Sequence, residues 1–312
     1  MTDLILHHYA MSPFAEKIRA MLGYAGLDWQ SVLVPPVPPR KTLEPLAGKY
    51  RKIPVMQIGA DIFCDTRAIS REIARLSGKP ELALENCSDE IQAFVRYTDL
   101  EVFLACILSA PGGTLLGKLR KSSSLMGVVR FLIDRINMGR KASVKAVGPK
   151  QAKDIVRVHV EGLQQRLENS PFLFGDTPTI ADFSAYHSLW FIRDLGESRF
   201  IDRYPAVNSW LDRIQAFGHG QVTEITAEQA LDAARQSEPR PLVEGADEKS
   251  GDVLHALHGK AVSIVPDDYG QIPVTGSLVA EHAQGWVLAR ENSRVGTVHV
   301  HFPKQGFVLS EV

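Results

Sequence analysis

The first 78 residues alternate in an order that few folds accept: strand, helix, strand, a hairpin of two short strands, then a helix. Residues 4–9 are an apolar run that ends in the turn Ala10-Met11-Ser12-Pro13. Residues 14–25 then carry Ile18, Met21 and Leu22 at helical spacing. Residues 31–34 supply a second strand, parallel to the first because a helix lies between them. Residues 53–58 and 61–64 are strands joined at Gly59-Ala60, and a helix from Thr66 through Ile69 and Ile73 stops at Gly78. This is the thioredoxin-like arrangement, an α/β domain expected over residues 1–78. The four prolines of residues 35–39 remove four backbone donors, so that stretch reads as an extended surface loop.

The texture then changes twice. Residues 88–235 read as an all-helical second domain, with apolar stripes such as Val95, Phe103 and Ile107. Residues 236–249 are polar, carry two prolines and read as a linker. Residues 251–312 read as a small all-β domain, a sheet or barrel of five strand-like runs at 261–265, 277–280, 286–289, 298–302 and 307–309. Its apolar face is expected to pack on the helical domain.

Charge and cysteine usage narrow the class. A formal net charge of −1 gives no global field for nucleic acid or an anionic membrane. The basic stretch of residues 117–150 reads as solvated helix face. Three cysteines without CxxC spacing argue for a reducing compartment. The acidic start is unlike a signal peptide, so a cytoplasmic protein is expected.

Three short constellations carry possible chemistry. Ser12-Pro13-Phe14 places a cap hydroxyl before a proline at the first helical position. The cap alone justifies the serine, yet the same hydroxyl and helix-end amides also stabilise an anion such as a thiolate. Lys52-Ile53-Pro54-Val55 opens a strand with proline. If that bond is cis, the Val55 main chain is left free to pair with an extended peptide. Asp65-Thr66 joins the last strand to its helix, where Asp65 suits an ammonium group and Thr66 with the helix-end amides suits a carboxylate. Helix capping is again the plain alternative.

Together these three resemble the glutathione transferase superfamily, nearest its Ser-type and omega-like members, and the spacings between Ser12, Pro54 and Asp65 match those members as well. Thr179-Ile180-Ala181-Asp182 is similar to the family's buried capping box, a structural element. The resemblance implies that the second domain is the family's all-α C-terminal domain; the β-rich tail has no counterpart in common members. It also implies glutathione as cosubstrate, with Ser12 activating its sulfur. Lys41, Lys52, Ile53, Pro54, Val55, Asp65 and Thr66 would bind the tripeptide, Lys41 or Arg40 serving its glycyl carboxylate. Met11, Val34, Tyr97 and Phe103 would bind an apolar electrophile, and a homodimer is possible. The rival readings are a non-catalytic binding or scaffold protein and a glutathione-dependent reductase, which needs a cysteine where Ser12 stands.

Other candidates are weaker. Tyr9 is a second possible thiol activator, although its strand position favours packing. His299 and His301 alternate on one strand without a third ligand nearby, so no metal is expected. Cys64 reads as a small buried hydrophobe.

Overall fold

The computed structural model describes residues 4–110, 112–122, 129–130, 133–134, 147–242 and 256–312. The leading unit is β1 (Leu4–His8), α1 (Pro13–Ala25) and β2 (Trp29–Leu33), with β1 and β2 parallel. After α2 (Glu44–Ala47) come the antiparallel pair β3 (Val55–Ile58) and β4 (Asp61–Cys64), then α3 (Thr66–Ser77). β1 shows why the sheet has two cores. Leu4 and Leu6 join the helix-covered cluster with Ile18, Met21 and Leu22, while Ile5 joins a second cluster on the opposite face.

The helical part follows with α4 (Asp89–Tyr97), a π turn over Thr98–Val102, α5 (Phe103–Ser109) and α6 (Gly112–Ser122). It continues with α7 (Pro149–Leu167), α8 (Ile180–Trp190) and α9 (Pro205–Gln215). No helix among the described residues is long and apolar enough to cross a membrane. The capping box at the start of α8 is formed. The buried Asp182 carboxylate accepts from the Thr179 and Leu173 amides, each at 2.9 Å, and from Trp210 Nε1 at 3.0 Å. Arg135, Arg140, Lys141 and Lys145 of the basic stretch, and residues 243–255 around the expected linker, lie outside the described residues.

The helical segment does not stay separate from the sheet. Residues 217–221 cross α1 at Gly23, where a Cβ would overlap the Gly218 carbonyl. The chain then adds β5 (Val222–Glu224) parallel to β2, and α10 (Ala227–Arg235) packs into the second core. Residues 88–235 are therefore not helical throughout.

The tail differs more from expectation. Its strands form where the sequence places them: β6 (Ala261–Pro266), β7 (Val274–His282), β8 (Gly285–Asn292), β9 (Gly296–Pro303) and β10 (Phe307–Glu311). They do not pack as a unit on the helical domain. β9 pairs parallel with β4, giving one ten-stranded sheet in the order β10-β6-β7-β8-β9-β4-β3-β1-β2-β5. The cause is an open β4 edge whose second-core face is apolar. Ile62 and Cys64 meet Val298, Val300 and Phe302 there. Buried Asp61 knits the seam, accepting from Arg240 N at 2.9 Å and meeting His301 Nε2 at 2.7 Å. His301 is therefore a seam residue, stacked on Phe63 at 4.6 Å.

A buried polar spine on α1 joins sheet to helices. Lys17 Nζ pairs with Asp99 at 2.7 Å, and Asp99 meets His187 Nε2 at 3.1 Å. Glu16 holds Arg19, Tyr186 and His219. The Arg19 guanidinium can only donate, so His8 Nδ1 accepts from it and the Nε2–H is left for Ser31. Burial and Arg19 push His8 down to about 3, consistent with a neutral ring. Burial alone would raise the Glu16 carboxyl, but His219 and Arg19 outweigh it and hold it at about 2.

Two outcomes follow. A chain ending at residue 242 uncovers the second core and should lose at least 10 °C in thermal midpoint or fail to fold, by the usual scaling of about 2–4 °C per kcal/mol for larger domains. An unchanged midpoint would contradict the seam. The Glu16 pKa is depressed from 4.5, so its contribution is complete above about pH 4.5 and is lost as the pH falls toward about 2. In acid unfolding Glu16→Gln should flatten the stability slope in that window. An unaltered slope would show that the spine does not titrate as described.

Candidate functional site

One cleft of ≈ 240 Å³ opens beside the start of β3 and α3. Ile53, Pro54 and Phe14 form one wall, and the Ile53–Pro54 bond is cis. Asp65, Thr66 and Arg67 supply a second wall from the start of α3. Arg96 of α4 and Asp99 with Leu100 of the π turn supply a third. The fourth belongs to the tail: Asp267, Asp268 and Tyr269 between β6 and β7, and Gln305 with Gly306 between β9 and β10. The lining thus mixes cations with carboxylates, which suits a ligand carrying both signs of charge.

The α3 entry is the most constrained point. Asp65 has a positive φ of 77° and caps α3 by accepting from Arg67 N at 3.0 Å. A non-glycine residue held there costs about 1–3 kcal/mol, which the surrounding structure must impose. Arg67 Nη1 in turn reaches the Gln305 carbonyl at 3.3 Å, tying this corner to the tail. Lys52 is boxed in by the tail. Both Asp268 oxygens hold its Nζ, at 2.7 and 2.8 Å, and the Tyr269 ring lies 4.5 Å from it.

Of the expected binding residues, Lys52, Ile53, Pro54, Asp65 and Thr66 come together in this cleft. Others do not. Val55 is not free: it lies opposite His7 in β1 and Cys64 in β4, so the ladder takes its amide and carbonyl. Ile53 stands before the ladder, across the cis bond. Lys52 is present, but Asp268 already neutralises its charge. Lys41 is exposed away from the cleft lining. Arg40 is buried and spends its guanidinium on the Pro35, Pro36 and Arg51 carbonyls, so it holds the proline loop.

Ser12 caps α1 as expected, its Oγ accepting from Ala15 N at 3.2 Å. It is only 2% exposed and sits behind the lining, where Phe14 represents α1. None of the four expected second-substrate residues lines the cleft. Val34 belongs to the second core, Met11 is half-buried, Tyr97 faces solvent, and Phe103 packs edge-on against Phe14 at 4.7 Å. Tyr97 and Phe103 are six residues apart with a π turn between them, and such spacing does not keep two side chains on one helix face. Leu100 and Phe14 supply the apolar wall instead. Tyr9 packs on the second core, and Cys64 is fully buried, its thiol pKa pushed well up by burial.

Several lining residues escape sequence reasoning. Asp99 and Leu100 face the cleft because of the π turn, which no residue pattern announced. Asp267, Asp268 and Tyr269 lie in the turn between β6 and β7, which no motif ties to the front domain. Tyr50 lines the cleft from a loop with no motif of its own.

The comparisons agree with this architecture. Residues 6–81 match the model of the glutathione S-transferase N-terminal domain, and residues 150–213 that of the glutathione S-transferase C-terminal domain. No curated protein matches the sequence. A solved GST-like protein from Pseudomonas syringae is 32% identical, with 100% of both chains covered and a TM-score of 0.76. A glutathione S-transferase from Rhodospirillum rubrum F11 is 19% identical, covering 68% of this chain and 88% of its own, with a TM-score of 0.47. A glutathione transferase family member from Pseudomonas fluorescens Pf-5, solved with two glutathione bound, is 16% identical over 69% of this chain and 89% of its own, with a TM-score of 0.46. The Pseudomonas syringae likeness takes in the β-rich tail as well as the two leading parts, and the chain belongs to the glutathione S-transferase family.

Proposed function

We propose that the protein binds glutathione in this cleft and transfers its thiolate to an apolar electrophile. The observation that carries the reading is the meeting of cis Pro54, Asp65, Thr66 and Phe14 in one cleft with charges of both signs. Glutathione carries two carboxylates, an ammonium and a thiol. Asp65 suits the ammonium, and the Thr66 hydroxyl with the α3 amide end suits the neighbouring carboxylate. The cysteinyl main chain would pair with Ile53, which lies outside the ladder. The sulfur then points toward the start of α1. Ser12 Oγ already accepts from Ala15 N, so its own proton remains to be donated to sulfur. Lowering a thiol pKa by about two units requires roughly 2.7 kcal/mol of differential interaction. Phe14 and Leu100 offer the electrophile an apolar surface.

A second reading, glutathione binding without transfer, draws support from the burial of Ser12 behind Phe14. Ser12 variants separate the two. Ser12→Ala removes both the cap and the donor. Ser12→Asp keeps a good cap but sets a negative charge beside the sulfur, which should raise the bound thiol pKa by about one unit or more. Because the site is buried it also lowers stability, which the thermal midpoint reads alongside. The ionisation of bound glutathione, followed by thiolate absorbance across pH, reads this directly. A bound-thiol pKa unchanged in Ser12→Asp would show that Ser12 does not govern the sulfur, and binding without transfer would stand in its place.

A further inference from the structure

Tyr50 is 3% exposed and lines the cleft, yet its hydroxyl has no hydrogen-bond partner among the described residues. Buried hydroxyls without partners are uncommon and costly, and each asks for an explanation. Most of the Tyr50 ring needs none. It packs against two tail residues, Phe302 edge-on at 5.8 Å and Phe307 stacked at 6.4 Å, which also touch each other. These contacts hold the ring and account for none of the hydroxyl's hydrogen-bonding capacity.

The surroundings decide what belongs there. Burial, then Asp65, Cys64, Tyr269 and Asp268, push the phenol pKa well above 10, so the group remains a donor. Neither neighbouring carboxylate accepts from it: Asp65 Oδ1 accepts from Arg67 N, and Asp268 from Lys52 and from Tyr269 N at 2.6 Å. A ligand seated in the cleft can bring the missing acceptor. Arg67 and the Thr66 hydroxyl at the start of α3 share the cleft, so a carboxylate is the acceptor best served at this end.

We infer that Tyr50 is a ligand-binding residue whose hydroxyl donates to the γ-glutamyl carboxylate of the bound thiol peptide, held in position by Phe302 and Phe307 of the tail. The inference rests on the glutathione reading above and adds to it a residue and a role for the C-terminal extension. The tail would thus take part in binding by positioning a donor that belongs to the loop between α2 and β3.

The test is calorimetric titration of the full chain with glutathione and with γ-glutamylcysteine, which lacks the glycyl end. Tyr50→Phe removes one oxygen and keeps the ring. A hydrogen bond to a charged group predicts that its Kd for both ligands rises about ten- to a hundredfold. Its thermal midpoint should be unchanged or higher, since an unsatisfied hydroxyl is gone. Phe307→Leu, which loosens the ring, should raise Kd in the same direction by a smaller factor. If the wild type binds neither ligand, the glutathione reading fails and this inference with it. If the wild type binds and Tyr50→Phe has the same Kd, this inference alone is overturned. If the loss appears with glutathione but not with γ-glutamylcysteine, Tyr50 serves the glycyl end and the assignment is overturned. If Phe307→Leu keeps both midpoint and Kd, the tail does not position the donor.

Discussion

The parallel pairing of β9 on the open edge of β4 is the contact on which the rest of this molecule depends. It converts a small sheet and a β-rich extension into one ten-stranded sheet with a shared second core. Edge strands present unpaired amides and carbonyls, and covering them is a common requirement of stable sheets. Here the cover is intramolecular. Asp61 reinforces it by holding both Arg240 and His301, and stays ionised because those partners outweigh its burial.

Placement of the cleft follows from that seam. With β9 fixed on β4, the loops leading into β7 and β10 are carried to the start of α3. There the Gln305 carbonyl meets Arg67 and Asp268 meets Lys52. The cleft between the front domain and the helical segment thus gains a fourth wall. The tail brings two carboxylates and an aromatic ring to it, and takes a lysine charge out of play.

What the sequence disclosed was what is local. Ser12-Pro13, Asp65-Thr66 and Thr179 with Asp182 each act within one helical turn, so residue type and spacing suffice to read them. The five tail strands were legible for the same reason, through alternation. What stayed hidden depends on distant partners. The register of β9 against β4, the Lys52–Asp268 pair and the packing of Tyr50 on Phe302 and Phe307 join residues more than two hundred positions apart in sequence. Val55 was misjudged because its freedom depends on two neighbouring strands rather than on the proline before it. The π turn that presents Asp99 and Leu100 is a one-residue departure from helical period, too small for a hydrophobic pattern to register.

The claim that joins these points is that front sheet and tail build one glutathione site together. A crystal structure of the full chain grown with glutathione measures this most directly. The expected result is the tripeptide lying in the cleft, its γ-glutamyl end at Thr66 and Tyr50 and its cysteinyl main chain along Ile53, with the loop of Asp267, Asp268 and Tyr269 closing over it. Glutathione bound elsewhere, or bound only after that loop has left the cleft, would contradict it.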